Sequence, residues 1–145
     1  MSVETMNELR MSRTIKADQQ AVWDAWTQPE HMKRWSCPDP AGVLEVEADL
    51  RVGGAYRIVM EVEGNSHIAF GTYREIDPPS RIVYTWDWED SENAMGETVV
   101  TVEFQAAGDS TEVVLVHSGF PAGEATEHHE QGWGACLMHF EALFA

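Results

Sequence analysis

Between residues 43 and 117 apolar side chains return at every second position, and after Pro121 they return at every third or fourth. A period of two puts successive side chains on opposite faces of a strand, while 3.6 residues per turn lines them along one stripe of a helix. A chain patterned this way makes a series of half-buried strands and then one amphipathic helix. An antiparallel sheet buries one face, and the terminal helix is the only element long enough to cover it. The pattern predicts an α+β fold.

The individual strands follow from the alternation. "VLEVEADL" begins at residue 43 and runs into Arg51-Val52-Gly53-Gly54, and "AYRIVMEV" then places Tyr56, Ile58, Met60 and Val62 on one face. Gly64-Asn65 reads as a two-residue hairpin turn, "HIAFGTYREI" follows, and Asp77-Pro78-Pro79-Ser80 turns the chain again. "RIVYTWDWED" then sets Ile82, Tyr84, Trp86 and Trp88 on one face, with Val83, Thr85, Asp87 and Glu89 on the other. "ETVVTVEFQ" aligns Val100, Val102 and Phe104, Gly108-Asp109 makes a second hairpin turn, and "TEVVLVHS" aligns Val113, Leu115 and His117. In the last segment Trp133, Leu137 and Phe140 recur at helical spacing, with Cys136 and Phe144 beside them.

The first third reads differently. Residues 1–8 form a loose N-terminal extension, and "LRMSRTIK" (9–16) is a first strand. Asp18 caps a short helix, "QQAVWDAWT", and Thr27 and Glu30 have capping-box spacing around Pro29, which opens a second, "PEHMKRW". Ser36-Cys37-Pro38-Asp39-Pro40 stops it, since proline lacks the donor N–H. With 145 residues the whole chain, 1–145, is expected to be one domain.

Charge and cysteine content exclude whole classes of function. Nine Lys and Arg against 25 Asp and Glu leave a formal net charge of −16. That field repels phosphate backbones and anionic headgroups, so neither nucleic acid nor a membrane surface is an expected partner. The two cysteines, Cys37 and Cys136, make no disulfide framework, and no apolar run reaches the ~20 residues needed to span a bilayer. A cytoplasmic protein is expected.

Catalytic and metal signals are sparse. His128 and His129 are neighbours, and helical neighbours point ~100° apart, so they read as a solvated helix start and not as a ligand pair. No metal site and no cofactor is expected. Arg51-Val52-Gly53-Gly54 lacks the phosphate-loop pattern and reads as a turn or bulge requiring positive φ, with Asp49 and Arg51 pairing beside it. Cys136 falls on the apolar stripe as a small hydrophobe. His117 is the one acid–base candidate, because it shares a face with Val113 and Leu115 and would act with Tyr56 or Tyr84. Gly132 and Gly134 flank Trp133 inside the helix, where glycine is unfavourable, and either close packing, a delayed helix start or room for a ligand accounts for them.

Several segments together resemble the SRPBCC (START-like) superfamily, in particular the single-domain family homologous to the C-terminal domain of the activator of heat-shock protein 90 ATPase. "VWDAWTQPEHMKRW" is similar to its helix pair ending in tryptophan, and "DLRVGGAYRIVM" to its Asp-x-Arg-x-Gly-Gly-x-Tyr signature. "GTYREIDPPSRIVYTW", "TEVVLVHSGF" and "QGWGACL" are similar to its central hairpin, last strand and Gly-Trp helix, in register from about residue 13 to the C-terminus. The resemblance implies the helix-grip fold: a curved antiparallel sheet wrapped around a long C-terminal helix, with an apolar cavity between them.

The shared strand faces and that implied cavity together nominate a wall of Trp35, Tyr56, Ile58, Met60, Tyr84, Trp86, Val100, Val102, Leu115, Trp133, Leu137 and Phe140, with Trp35 facing Trp133 across the mouth and His117 nearby. Whether the aromatic face fills a core or lines a void stays open at this level. Binding of a small, largely apolar, neutral or cationic molecule is the expected function. The superfamily also contains cyclases and dehydratases, for which His117 and a tyrosine would move protons, and co-chaperone domains with a stress-response role. The eukaryotic co-chaperone carries an additional docking domain, for which this length leaves no room, so a chaperone partner ranks last. The aromatics around residues 23–35 leave a homodimer open.

Overall fold

The computed structural model describes residues 7–37, 42–62, 64–89, 94–121 and 123–144. Strand β1 (Asn7–Ile15) leads into helices α1 (Gln19–Thr27) and α2 (Pro29–Met32). Six strands follow: β2 (Val43–Ala48), β3 (Ala55–Val62), β4 (Asn65–Asp77), β5 (Arg81–Trp88), β6 (Thr98–Ala107) and β7 (Ser110–Phe120), and helix α3 (Ala125–Ala142) ends the chain. The strands form one antiparallel sheet in the order β1-β7-β6-β5-β4-β3-β2. This is the α+β arrangement that the alternation and the terminal helix predict, and the helix-grip fold that the resemblance implies. The expected N-terminal extension is shorter than residues 1–8, because Asn7 and Glu8 already pair with β7, and its residues 1–6 lie outside the described ones.

Local chemistry explains the boundaries. The Asp18 carboxylate accepts the Ala21 N–H at 2.8 Å and starts α1. The expected capping box at α2 is absent: Gln28 is the N-cap, and the Thr27 hydroxyl instead donates back to the Trp23 carbonyl at 2.8 Å. A hydroxyl inside α1 reaches the carbonyl one turn behind it more easily than an amide ahead. The first hairpin turn lies one residue earlier than expected, since Asn65 pairs with Val62 and so belongs to β4; Gly64 carries the positive φ of 82°. The second is as expected, with Ala107 opposite Ser110.

The Gly-Gly signature divides its labour. Gly53 has φ 86°, while a Cβ on Gly54 would collide with the Asp49 carbonyl oxygen. Asp49 and Arg51 pair at 2.7 Å beside it, on the surface.

A glycine with no sequence signal of its own sits at the seam between β4 and β5. Gly71 lies opposite Tyr56, and a Cβ there would strike the Thr85 carbonyl oxygen and crowd its hydroxyl. That same carbonyl accepts the Tyr56 O–H at 2.6 Å, so the bare glycine lets one hydrogen bond join β3 to β5 across β4. Gly71→Ala is expected to lose about 2–3 kcal/mol, the scale of overpacking into backbone that cannot yield. Urea unfolding checks this; a variant within about 0.5 kcal/mol of the parent would show that the seam opens freely.

Helix α3 does not lie centrally on the sheet. It packs against β1, and its buried residues Leu137 and Phe140 join Val100, Val102, Phe104 and Leu115 of β6 and β7 in a solid core. Helix α1 adds Trp23 and Trp26 to that core, each edge-on to Phe104. The concave face of β3, β4 and β5 is left without a helix pressed on it. That asymmetry positions everything that follows.

Candidate functional site

A cavity of about 540 Å³ lies between strands β3–β5 and residues 125–136 of α3. Its wall runs from buried rings such as Trp35 and Trp26 to exposed residues Ala94, Pro121 and His128, so it opens to solvent near the N-terminal end of α3. Volumes of this order hold drug-sized molecules. The void answers the question left by the alternating aromatics of β5: Ile82, Tyr84 and Trp86 are wall and core at once, and Trp88 extends the wall beyond the core.

Among the nominated residues, Tyr56, Ile58 and Met60 of β3, Tyr84 and Trp86 of β5, Trp35 and Trp133 line the cavity. Val100, Val102, Leu115, Leu137 and Phe140 do not. They are fully buried behind the wall, because α3 packs over β1 and α1 over β6 and β7, and together they cover that half of the sheet. Trp35 does not face Trp133 across a mouth either. Trp26 stands between them, 4.3 Å from Trp35 and stacked 6.2 Å from Trp133, and the Trp35 indole donates to the Ala25 carbonyl at 2.9 Å. Gly132 lines the cavity, and α3 starts at Ala125, well before it. Gly134 points at Met11 with ordinary van der Waals room for a Cβ, so close packing does not explain it.

His117 also lies behind the wall, with 0 % of its surface exposed. Its hydrogen bonds determine its tautomer. The Thr98 hydroxyl gives its single proton to the Trp86 carbonyl at 2.5 Å, so at 2.8 Å from Nε2 it accepts the His117 Nε2–H. The Trp133 indole only donates, so Nδ1, 3.0 Å away, is an acceptor. The ring is thus neutral and saturated, and protonating Nδ1 would set two N–H groups against each other. Burial, with a smaller contribution from His129, drives its pKa down to about 2. The proposed proton shuttle through His117 and a tyrosine is therefore corrected: neither bonding partner of His117 is titratable, and the ring does not reach the cavity.

His129, read from sequence as part of a solvated helix start, is half-buried on the cavity wall. Its Nδ1–H donates to the Ala125 carbonyl at 2.8 Å, and Nε2 accepts the Trp88 indole N–H at 3.0 Å, which ties α3 to the end of β5. Burial lowers its pKa, opposed in part by the bond to Ala125. His128 is exposed and lies at the open rim of the same wall. Burial also pushes the wall's acids upward: Tyr56 and Tyr84 well above their usual value, Tyr73 to about 12, and the Cys136 thiol likewise up. Each of these shifted groups moves toward its uncharged form.

Several wall residues escaped the sequence reading. His129 and Cys136 stand four before and three after Trp133, so helical spacing from that tryptophan finds both. Trp88 simply continues the alternation of β5. Tyr73 and Trp26 carry no such signal: Tyr73 reaches the wall because it registers opposite Tyr84, and Trp26 because its indole donates to the Tyr84 hydroxyl at 3.2 Å.

No helix among the described residues is long and apolar enough to cross a membrane. The fold matches solved structures closely. A protein of Chromobacterium violaceum superposes with a TM-score of 0.83 at 26% identity, covering 95% of this chain and 96% of that one. A protein of Nitrosomonas europaea gives 0.78 at 26% identity over 94% and 92% of the two chains. The AHSA1 protein of Silicibacter pomeroyi gives 0.78 at 25% identity over 93% and 95%. No curated protein is significantly similar in sequence. Residues 16–145 match the family model for Activator of Hsp90 ATPase homolog 1-like proteins. The chain therefore belongs to that family, an AHSA1-like domain of the SRPBCC superfamily.

Proposed function

We propose that the protein binds a small, largely apolar, uncharged molecule in the cavity between β3–β5 and α3. The observation that carries this reading is the void itself, about 540 Å³ walled by Trp26, Tyr56, Tyr84, Trp86 and Trp133. Rigid aromatic walls bury much ligand area with little loss of side-chain entropy. Met32, Met60 and Met95 on the same wall are flexible enough to fit around differing shapes. The pKa pattern supports binding over proton transfer, since burial moves Tyr56, Tyr84, Cys136 and His129 toward their neutral forms and away from a poised acid–base pair. Among the described residues no lysine or arginine lines the cavity, and the formal charge is −16, which disfavours acidic ligands.

Thermal unfolding against flavonoids, sterols, fatty acids and aromatic polyketide-like compounds tests the proposal. A compound at 100 times its dissociation constant adds about 2.7 kcal/mol. At ~2–4 °C per kcal/mol, the midpoint rises by about 5–10 °C. The shift is expected for sterol- or flavonoid-like compounds, weaker for fatty acids, and lost in Trp86→Ala. No shift across the panel would sink the reading and turn attention to protein partners, including the Hsp90-type ATPase named in the family's description.

A further inference from the structure

The polar atoms on the cavity wall are not equally available. The indole N–H groups of Trp35, Trp88 and Trp133 are committed to Ala25, His129 and His117. The Ser36 hydroxyl donates to the Met32 carbonyl at 2.6 Å, and the Tyr56 hydroxyl to Thr85. Besides the Tyr73 hydroxyl on β4, two donors on the inward face of β5 stand out among the described residues. Tyr84 accepts the Trp26 N–H, a group that can only donate, so the Tyr84 proton takes no part in that bond and meets no acceptor among the described residues. Trp86 is 7 % exposed, and its Nε1–H is buried with no hydrogen-bond partner there.

Buried N–H groups without acceptors are rare in folded proteins, rarer than under-used carbonyl lone pairs. Tyr84 and Trp86 stand two apart on the inward face of β5, with the Tyr56 ring 5.3 Å from one and 6.3 Å from the other. Both line the cavity. A wall with unmet donors and, among the described residues, no lysine or arginine suits a group that accepts hydrogen bonds without carrying charge.

We propose that the cavity's occupant is a neutral, largely apolar molecule bearing a carbonyl-type acceptor, held by the Tyr84 O–H and the Trp86 N–H. This rests on the ligand-binding reading above and specifies its chemistry. An aryl ketone, lactone or quinone meets the description. A plain hydrocarbon leaves both donors unmet, a carboxylate enters without a counter-ion, and a quaternary ammonium brings no acceptor.

A matched probe pair separates the two levels of inference. The probes are 2-acetylnaphthalene and 2-ethylnaphthalene, which share a ring system and differ in the carbonyl, with binding read by quenching of tryptophan fluorescence. The acetyl compound is expected to bind about tenfold tighter to the parent protein, the scale of one buried hydrogen bond gained, although it is the better hydrated of the two. In Tyr84→Phe and in Trp86→Phe the preference is expected to fall to about twofold or less. Tyr84→Phe also deprives Trp26 of its acceptor, so a second readout is the infrared stretch of a ¹³C-labelled acetyl carbonyl bound to the parent protein. A band at lower frequency than in hexane, moving back in Trp86→Phe, supports the proposal. Equal binding of the two probes, with a hexane-like band, overturns it while leaving the cavity reading intact. Binding of neither overturns both.

Discussion

Trp26→Ala is expected to lower stability by about 3–5 kcal/mol, the range for truncating a fully buried tryptophan. The ring is 2 % exposed and touches four others: Trp35 at 4.3 Å, Phe140 at 5.2 Å, Phe104 at 5.9 Å and Trp133 at 6.2 Å. It joins α1, the segment after α2, β6 and α3, so no single neighbour can move in to fill its place without dragging an element with it. Truncation also removes the donor to the Tyr84 hydroxyl. The melting temperature should fall by about 6–20 °C. Trp26→Phe keeps most of the area and loses the N–H, so it should cost about 1–2 kcal/mol. Urea denaturation of both variants measures the difference. A loss below about 1 kcal/mol for the alanine would mean that the cluster collapses inward, and that Trp26 is a movable part of the cavity wall and not its support.

Acid should destabilise the protein through His117, well above the pH at which carboxylates protonate. The folded-state pKa of about 2 lies below the ordinary value of 6.5, so the unfolded chain takes up the proton first. Stability is whole above pH 6.5 and falls by about 1.4 kcal/mol for each pH unit below it, until the folded value is reached. At pH 5 the loss is about 2 kcal/mol. The groups facing the ring give the proton no favourable site: the Thr98 hydroxyl, the Trp133 N–H, the Trp86 and Phe120 rings, and His129 with its centroid 5.4 Å away. His129, itself lowered by burial, adds a loss of the same sign. His117→Gln retains a donor for Thr98 and an acceptor for Trp133 and does not titrate. It should be less stable than the parent at pH 7.5 yet lose less between pH 7.5 and pH 5. Parallel losses in the two proteins would show that His117 takes up its proton in the folded state with little hindrance.

These two predictions bear on how far the sequence could be read. Trp26 was visible as an apolar position four residues from Val22 on α1, which marks it as buried and says nothing of what it meets. His117 was visible as a polar residue on an apolar face, where a satisfied core group and a catalytic base look alike. Its role turned on Thr98 and Trp133, 19 and 16 residues away in sequence, and no local pattern links the three. Cavity residues Tyr56, Ile58, Met60, Tyr84 and Trp86 were legible because strand alternation assigns faces without reference to the rest of the fold. Val100, Val102 and Leu115 obey the same alternation and share the same inward face, yet they are core. Gly71 had no signal, because the space a glycine leaves is seen only when its neighbour across the seam is known.

By itself, the sequence determined the elements, the inward face of each strand, the covering role of the last helix and the family to which the chain belongs. The first three rest on periodicity and turn chemistry, which act over a few residues, and the family on the resemblance of several separate segments in register. The tertiary structure alone decided which half of the inward face is solid and which is open. Helix α3 leans on β1 and reaches β7 through Trp133, α1 packs on β6 and β7, and β3 to β5 are left to enclose a cavity. A helix can cover only part of a curved seven-stranded sheet. Which part depends on packing between residues more than a hundred positions apart, such as Met11 against Gly134.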